Sequence, residues 1–560
     1  MKVIYKGRYG GQNAPKTPSE PGDVLELLDN NWNDYGFETT FNTACRIGEE
    51  TLELGLIKVL FEGSSRSREF LKSKLDENWD GTFPITEVGY VSVPLEISFY
   101  EQLVSQLGEV RAIEVALALK DASFLINTRQ DAEAIRIRKL EGFETSLQRE
   151  RGEEKAFADG WKILAKEAIA VSNLDFRFTD AQGSIQEISF KYQSTNLLPS
   201  DINVLIGPNG VGKSRLLHQI VDDWIQNEPH EDRLTGFTNR PSLSQLVVLS
   251  YSPFENFPAS MPKDKRQDAD AYRYFGLRSD TQGQGNNTAL SLDTPKMATA
   301  HSLLACLADD IRFRSMREWA KKLATVENVL RSAFDFDFAA VEVDPNASAA
   351  YANKSLFDPT ELVFRRDGRR YVAIRSSSMS RLDPEAIAPN IVAESGVLFF
   401  KDDRLLELSS GQRLFSYIVI NLLGVMRRNS LILIDEPELF LHPSLEIQLV
   451  EMLKEILKHF SSKALFATHS IVTVREVPAD CVHVFSRTDD GIQFSHPPFQ
   501  TFGGDVQRIT SYVFGDRAVT KPFEAWIDEQ LRERSAAELI GLLGPALNEE
   551  MIIQIAAKGR

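Results

Sequence analysis

The octapeptide GPNGVGKS at positions 207–214 limits the folds that this chain can adopt. It fits the pattern G-x-x-x-x-G-K-[ST] of the Walker A phosphate-binding loop. Just before it, Val204 to Ile206 form the end of an apolar run that is typical of a buried strand. After it, apolar residues recur at helical spacing, at Leu216, Leu217, Ile220 and Val221. A strand, a glycine-rich turn and a helix in this order predict an α/β domain built around a phosphate-binding loop.

Each residue type in the loop suits the binding of phosphate. Glycines let backbone N–H groups turn inward, and the start of the following helix favours an anion. The side chain of Lys213 is expected to reach the β- and γ-phosphates, and the hydroxyl of Ser214 to ligate Mg²⁺. The predicted nucleotide-binding residues of the loop are Gly207, Pro208, Asn209, Gly210, Val211, Gly212, Lys213, Ser214 and Arg215. ATP and Mg²⁺ are therefore the predicted cofactors.

A second apolar run, Leu431 to Ile434, ends in the acidic pair Asp435-Glu436. A continuous apolar run is typical of a strand buried on both faces, and its carboxyl end is where an α/β sheet binds its ligand. This is the Walker B arrangement. Asp435 is predicted to hold Mg²⁺ together with Ser214, and Glu436 to orient and activate the attacking water.

Shortly before this strand, residues 408–412 read LSSGQ and resemble the signature motif of ABC-type ATPases. The resemblance implies that four residues bind ATP held by an opposing subunit: Ser409, Ser410, Gly411 and Gln412. It also implies a role for His469, which follows the apolar run from Ala464 and resembles the histidine that senses the γ-phosphate. The glutamine loop of the family has no clear match, so Glu255, Asn256 or neither residue takes its place.

The segment DEPELFLHPSLE, positions 435–446, resembles the OLD-like and SMC-like branch of these ATPases, as does FGGDVQRITSYVFGD at 502–516. OLD nucleases continue into a TOPRIM domain, whose glutamate and D-x-D pattern does not follow here. The resemblance therefore implies a stand-alone ATPase subunit of the PtuA type, found in bacterial antiviral defence. The partners that it implies are a second copy, in at least a head-to-head dimer, and an HNH or TOPRIM nuclease or a toxin as effector.

With 560 residues, the chain is too long for one hydrophobic core. We predict an α/β fold, in which an ABC-type P-loop ATPase head with a mixed β-sheet and flanking helices carries a helical insertion and a separate α+β N-terminal domain. The charged segment from Gln130 to Ala168 is predicted to be helical and to connect this domain to the head. The predicted segments are 1–165 for the N-terminal domain of unknown role, 166–258 for the first half of the head, 259–404 for the insertion, 405–516 for the second half and 517–560 for a helical tail.

The composition restricts the classes of function. A net charge of −17 argues against a protein that coats nucleic acid, and three widely spaced cysteines indicate neither disulfides nor a zinc site. No apolar run is long enough to span a membrane, so a cytoplasmic protein without a membrane partner is expected.

Two functions remain open from the sequence. The first is an ATP-hydrolysing sensor that controls a separate effector in anti-phage defence, and the second is a RecF-like or SMC-like DNA repair clamp. The clamp would use basic clusters to bind nucleic acid. One cluster is predicted on a single helix, and its residues are Arg312, Arg314, Arg317, Lys321 and Lys322. The other is predicted around a hairpin, and its residues are Arg365, Arg366, Arg369 and Arg370. A transporter ATPase is disfavoured, because Gly207 and Gly411 lie much farther apart than in transporter heads.

Overall fold

The computed structural model of the protein describes thirteen stretches of the chain. They are residues 1–7, 17–169, 171, 173–193, 197–226, 234–262, 268–280, 288–314, 316, 321–346, 362–488, 491–514 and 522–558. An N-terminal domain comes first, an ATPase head follows, and a group of helices ends the described chain.

The N-terminal domain is built on a six-stranded sheet. Its strands are β1 (Lys2–Tyr5), β2 (Val24–Asp29), β3 (Thr40–Ile47), β4 (Glu50–Leu52), β5 (Leu56–Phe61) and β6 (Tyr90–Pro94). The order is β1-β2-β3-β5-β6, with β4 paired to β3. Strands β1 and β2 run parallel, and the other neighbours run antiparallel. Every residue of β2, VLELLD, is buried, which places this strand at the centre of the domain.

Helices pack on this sheet and share one hydrophobic cluster with it. They are α1 (Ser67–Asp76), α2 (Ser98–Ala118), α3 (Ala122–Phe124), α4 (Ala132–Arg138) and α5 (Arg151–Leu164). The charged segment that we predicted to be helical forms α4, a π-helical turn at Phe143–Leu147, and α5, so its helical character is confirmed. The segment is not continuous, because Glu150 adopts an extended conformation and begins α5 with a capping box.

The described residues of the head and of the elements after it form seventeen strands. They are β7 (Leu174–Thr179), β8 (Ile185–Phe190), β9 (Ile202–Ile206), β10 (Gly236–Phe237), β11 (Gln245–Ser250), β12 (Tyr272–Gly276), β13 (Arg278–Asp280), β14 (Thr288–Leu290), β15 (Phe338–Val343), β16 (Val363–Arg366), β17 (Arg369–Ile374), β18 (Val397–Lys401), β19 (Arg404–Leu405), β20 (Ser430–Asp435), β21 (Lys463–Thr468), β22 (Val482–Thr488) and β23 (Gly491–Ser495).

The helices of the same region are α6 (Lys213–Gln226), α7 (Thr294–Arg312), α8 (Lys322–Ala333), α9 (Pro384–Ile387), α10 (Ser410–Val425), α11 (Pro443–His459), α12 (Ile471–Val474), α13 (Val506–Phe514), α14 (Pro522–Glu533), α15 (Ala536–Leu543) and α16 (Glu549–Lys558). The last three pack around a small core of their own, formed by Ile527, Leu539 and Ile555.

A seven-stranded sheet organises the head, in the order β12-β11-β20-β21-β9-β22-β23. Its strands run parallel except for β23, which returns antiparallel beside β22. Strand β21 therefore lies between β9, which precedes the phosphate loop, and β20, which ends in the acidic pair. Their carboxyl ends meet at one edge of the sheet, where an α/β fold binds its ligand.

Alternate residues of these strands face two different cores. Leu431 and Leu433 pack with α6 and with the three-stranded sheet β10-β7-β8. Ile432 and Ile434 pack on the opposite face with α7, α8, α10 and α11. Because both faces are covered, the middle of β20, from Leu431 to Ile434, is apolar at every position.

The segment between the two halves of the head has two parts. Helices α7 and α8 pack against α10 and belong to the main hydrophobic core. The strands that follow form an antiparallel five-stranded sheet in the order β16-β17-β15-β18-β19. The predicted fold class, an ABC-type P-loop head with further α and β elements, is confirmed.

Among the helices of the described stretches, none combines the length and the apolar character that crossing a membrane requires.

Candidate nucleotide-binding site

The phosphate loop connects the end of β9 to the start of α6 in a conformation that needs glycine. A Cβ atom on Gly207 would lie 2.2 Å from the carbonyl oxygen of Phe485, so no larger residue fits there. Gly212 has a φ of 91°, in the left-handed region that glycine favours. Val211 is buried in the core beneath α6. The remaining predicted loop residues, Pro208, Asn209, Gly210 and Arg215, are exposed.

Lys213 lies at the centre of the site and is 5% exposed. Its ammonium group donates to the carbonyl oxygens of Gly207 and Pro208, both at 3.1 Å, and lies 3.0 Å from Nε2 of His469. Burial lowers the pKa of Lys213 to about 8, although the nearby carboxylates of Glu436 and Asp435 act in the opposite direction. The ammonium group of Lys213 therefore contacts both the phosphate loop and His469, which follows β21.

Ser214 and Asp435 come together as the sequence predicts. The hydroxyl of Ser214 donates to Oδ1 of Asp435 at 3.0 Å. Burial, followed by the negative charge of Glu255, raises the pKa of Asp435 to about 8. The other oxygen, Oδ2, is buried and has no hydrogen-bond partner in the described part of the chain.

This pair of residues fits a Mg²⁺ ion. Mg²⁺ prefers oxygen ligands, and in nucleotide sites it takes one or two from the protein and others from phosphate and water. The unpartnered Oδ2 of Asp435 is a buried acceptor of the type that such an ion would satisfy. Within the described stretches, no group of three or more His, Cys, Asp and Glu side chains could hold a metal ion.

Glu436 follows Asp435 directly and has a φ of 47°, in the left-handed region. Its N–H donates to the carbonyl oxygen of Ala467 at 2.9 Å, which ties the end of β20 to β21. Its Oε1 lies 3.6 Å from Nε2 of His469. The predicted base and the predicted sensor are thus neighbours.

His469 is held from its backbone as well as its ring. Its N–H donates to Oε1 of Glu438 at 2.5 Å. Burial, and then the positive charge of Lys213, lowers the pKa of His469 to about 4. The imidazole is therefore neutral near pH 7, so it can exchange hydrogen bonds with a phosphate without adding a charge.

The signature residues lie at the start of α10. The hydroxyl of Ser409 accepts the N–H of Gln412 at 3.3 Å, and the side chain of Gln412 accepts the N–H of Ser409 at 3.1 Å, which is a capping box. Ser409 and Ser410 are exposed, and Gly411 lies against the carbonyl oxygen of Phe440. Among the described residues, the side-chain hydrogen bonds of Ser409 and Gln412 stay within the cap or reach Ala333. The structure therefore joins Lys213, Ser214, Asp435, Glu436 and His469 in one group and places the signature residues at a separate surface.

Of the two residues considered for the glutamine-loop position, Glu255 faces the site. Its Oε2 is 2.8 Å from Nε2 of His218, and its charge acts on Asp435. Asn256 is exposed.

Sequence reasoning missed Glu438 and His218. Glu438 lies in the quoted DEPE segment but was given no role, and His218 was not considered. His218 stands four residues after Ser214 on one helix face, a spacing that could have revealed it.

The order of the strands, the phosphate loop, the acidic strand end and the histidine on the strand between them define the class: the head is an ABC-type P-loop ATPase domain.

Comparisons with known proteins agree with this class at a coarse level. The model of a family described as "AAA domain, putative AbiEii toxin, Type IV TA system" matches residues 330–475, which include LSSGQ, Asp435-Glu436 and His469. The chain is also similar to "Protein ea59" of Escherichia phage lambda, with 25% identity over 535 residues, 92% of this chain and 89% of that protein.

Solved structures that share segments with the chain have low overall similarity. The SMC head domain from Thermotoga maritima has 11% identity and a TM-score of 0.26, covering 59% of this chain and 100% of that one. UvrA2 from Deinococcus radiodurans has 13% identity and a TM-score of 0.24, covering 57% and 36%. Because these scores are low, the class rests on the sheet order and the site.

Proposed function

We propose that the protein binds and hydrolyses ATP between two heads, and that this cycle controls a separate effector in anti-phage defence. The observation that carries the head-to-head arrangement is the exposed start of α10. Its first N–H groups are suited to phosphate, and Ser409 and Ser410 are exposed at the surface rather than covered by the chain's own loop. A second copy could therefore supply its ATP to this surface.

The residues of the site have distinct roles in the proposed hydrolysis. Lys213 exchanges its contacts with the loop carbonyls for the β- and γ-phosphates. Ser214 and Asp435 would hold Mg²⁺, which neutralises phosphate charge when bound. Glu436 orients the attacking water and takes its proton. The neutral His469 contacts the γ-phosphate and, through Glu438, links that contact to the segment after β20.

Helix α5 supports a sensing role for the N-terminal domain, because it connects that domain to the phosphate-loop helix. Its Glu153 is buried in the N-terminal domain, 2.5 Å from Lys58. Its Arg151 stacks on the ring of Trp224 at 3.6 Å and donates to the carbonyl oxygen of Trp224 near the end of α6. A change in the N-terminal domain would therefore act on the helix that begins at Lys213.

The finer assignment, an OLD-like, PtuA-type subunit with an HNH or TOPRIM nuclease or a toxin as its effector, rests on two supports. One is the resemblance of DEPELFLHPSLE to the OLD-like branch. The other is the toxin named in the description of the matching family. The lambda protein matches over 92% of this chain, a share that includes residues of both the N-terminal domain and the head.

The test of this function is to purify the Glu436→Gln variant from its native gene neighbourhood, with and without ATP, and to identify the bound material by mass spectrometry. A stoichiometric nuclease or toxin that depends on ATP is the expected result. Recovery of nucleic acid with no protein partner would instead favour the repair clamp.

The clamp remains the second candidate because one basic cluster forms as predicted. Arg365 and Arg366 of β16 lie opposite Arg370 and Arg369 of β17 in a hairpin. Replacing these four arginines with alanine would abolish salt-sensitive DNA binding if the clamp is correct. Unchanged DNA binding in that variant would exclude this hairpin as the DNA site.

The described residues of the other basic cluster do not lie on one helix. Arg312 ends α7 and donates to Glu53 and Glu96, and Lys322 begins α8, buried against Asp309. The prediction of a single helix was wrong, because the chain ends α7 at Arg312 and begins a new helix at Lys322. Arg317 lies outside the described residues.

A further inference from the structure

Two neighbouring strands bring unpartnered buried oxygens to the edge of the site. Strands β11 and β20 run parallel, and Ser250 lies opposite Asp435. Ser250 is 0% and Asp435 is 2% exposed. In the described part of the chain, neither Oγ of Ser250 nor Oδ2 of Asp435 has a hydrogen-bond partner. Buried oxygens are costly when they lack partners, so this edge is suited to a bound group that satisfies them.

The loop after β11 is fixed at its backbone. Arg278 donates from Nε to the carbonyl oxygen of Glu255 at 2.6 Å and from a terminal nitrogen to that of Pro253 at 3.1 Å. A charged donor that spans two carbonyls restrains the residues between them. Glu255 therefore stands on an ordered segment that begins next to Asp435.

The carboxylate of Glu255 is fixed as well. Its Oε2 accepts a hydrogen bond from Nε2 of His218 at 2.8 Å. The imidazole stacks on the ring of Phe257, with the ring centroids 3.9 Å apart and the planes 9° from parallel. Because Phe257 is fully buried, the ring of His218 has a defined orientation.

One face of α6 holds both carboxylates. Ser214 and His218 are four residues apart and therefore lie one turn apart on the same face. Ser214 donates to Asp435, and His218 donates to Glu255. The two carboxylates are therefore bound to successive turns of one helix face.

We infer that Glu255, positioned by His218, is a second carboxylate of the cation site and allows this site to bind a divalent cation without nucleotide. Carboxylate oxygens are the ligands that divalent cations prefer, and the unpartnered Oδ2 of Asp435 is a buried acceptor that such a cation would satisfy. A neutral amide at the same place would add a ligand but no charge. The inference rests on the ATP site of the proposed function and adds a residue and a binding order to it.

The test is a titration of the nucleotide-free, full-length protein with Mn²⁺, in which free Mn²⁺ is measured by electron paramagnetic resonance. Wild-type protein is expected to bind Mn²⁺, and Glu255→Gln to bind it about tenfold more weakly or worse, since it removes one charge and keeps the shape. Asn256→Ala is the matched control and is expected to bind like wild type. Equal binding by wild type and Glu255→Gln, or no binding by wild type, would overturn the inference.

The role of His218 has its own test. His218→Ala is expected to weaken Mn²⁺ binding, and His218→Gln, which keeps an N–H donor, to restore part of it. If the alanine variant binds Mn²⁺ like wild type, His218 does not position Glu255.

Binding of a fluorescent ATP analogue in EDTA separates this inference from the proposed function. Glu255→Gln is expected to bind the analogue like wild type, and a loss would assign Glu255 a structural role and overturn the cation role. If wild type binds no ATP analogue with or without Mg²⁺, the proposed function fails, whatever the Mn²⁺ titration gives.

Discussion

At the scale of single residues, the site depends on ionisable side chains whose pKa values are shifted by burial. Lys213 is the main example, because it is buried beside Glu436 and Asp435 and still carries the only positive charge among the predicted catalytic and metal-binding residues near it. Its replacement would leave these carboxylates without a counter-charge and phosphate without its ligand.

Lys213→Ala is expected to abolish ATP binding, measured by titration calorimetry with Mg²⁺. Lys458→Ala is the control, since Lys458 is an exposed lysine near the end of α11 and has no role in the site. Retained ATP hydrolysis in Lys213→Ala would show that the site lies elsewhere.

The buried His483 is expected to make the stability of the head depend on pH. It is 1% exposed, its Nε2 lies 3.1 Å from Oδ1 of Asn203, and burial lowers its pKa from 6.5 to about 3. Between these two pKa values, His483 binds a proton in the unfolded chain but not in the folded chain. The contribution of neutral His483 is therefore complete above pH 6.5 and is lost as the pH falls.

From pH 6.5 to pH 5 this residue is expected to lower the free energy of unfolding by up to about 2 kcal/mol. His483→Gln cannot titrate but can still donate to Asn203, so its stability is expected to fall less over the same range. Urea unfolding at both pH values measures the difference, and identical pH dependence in the two proteins would contradict the assignment.

The sequence is sufficient for those site residues that belong to local patterns. GPNGVGKS, Asp435-Glu436 and His469 each follow an apolar run, and a parallel sheet brings such strand ends together. Glu255 and His218 are different, because their meeting depends on how β11, α6 and β20 pack. The spacing of Ser214 and His218 places both on one face of α6, but it does not show that His218 meets Glu255.

At the scale of elements, α5 is the connection between the two domains. Arg151 is 5% exposed, and its cation lies near the carbonyl end of α6, where the helix dipole favours positive charge. The sequence predicted a helical connection between the domains but not the point at which it is interrupted. Periodicity does not locate a break that is made by a capping box and by packing against β5 and β6.

Arg151→Ala is expected to cost about 2 kcal/mol of stability, because it removes a buried cation–π contact and a charged hydrogen bond. It is also expected to increase hydrogen–deuterium exchange near the end of α6. Arg136→Ala is the control, since Arg136 lies on α4 and its replacement breaks only an exposed ion pair with Glu62. Unchanged exchange in α6 would show that α5 does not restrain the phosphate-loop helix.

At the scale of the whole molecule, the signature residues and the phosphate loop lie on separate surfaces of one head. If the two surfaces work together only between heads, two variants with different defects can complement each other. Ser410→Glu is suited to this test, because a carboxylate at a helix start stabilises the helix and repels phosphate.

Lys213→Ala and Ser410→Glu are each expected to be inactive alone. A mixed dimer contains one site with an intact phosphate loop and an intact signature, so an equal mixture is expected to recover up to about a quarter of wild-type ATPase activity. Phosphate release measures it. A mixture as inactive as its components would mean that each head acts alone.

The most direct test of the ATP-sandwich dimer is the mass of Glu436→Gln in solution, measured by light scattering with Mg²⁺ and either ATP or ADP. The variant keeps the shape of the side chain but cannot take a proton, so it is expected to hold ATP and to hydrolyse it more than about 100-fold more slowly. With ATP, the 63.0 kDa chain is expected to double its mass, and with ADP it is expected not to. A variant that stays monomeric with bound ATP would contradict the head-to-head arrangement, and one that hydrolyses ATP normally would contradict the role of Glu436.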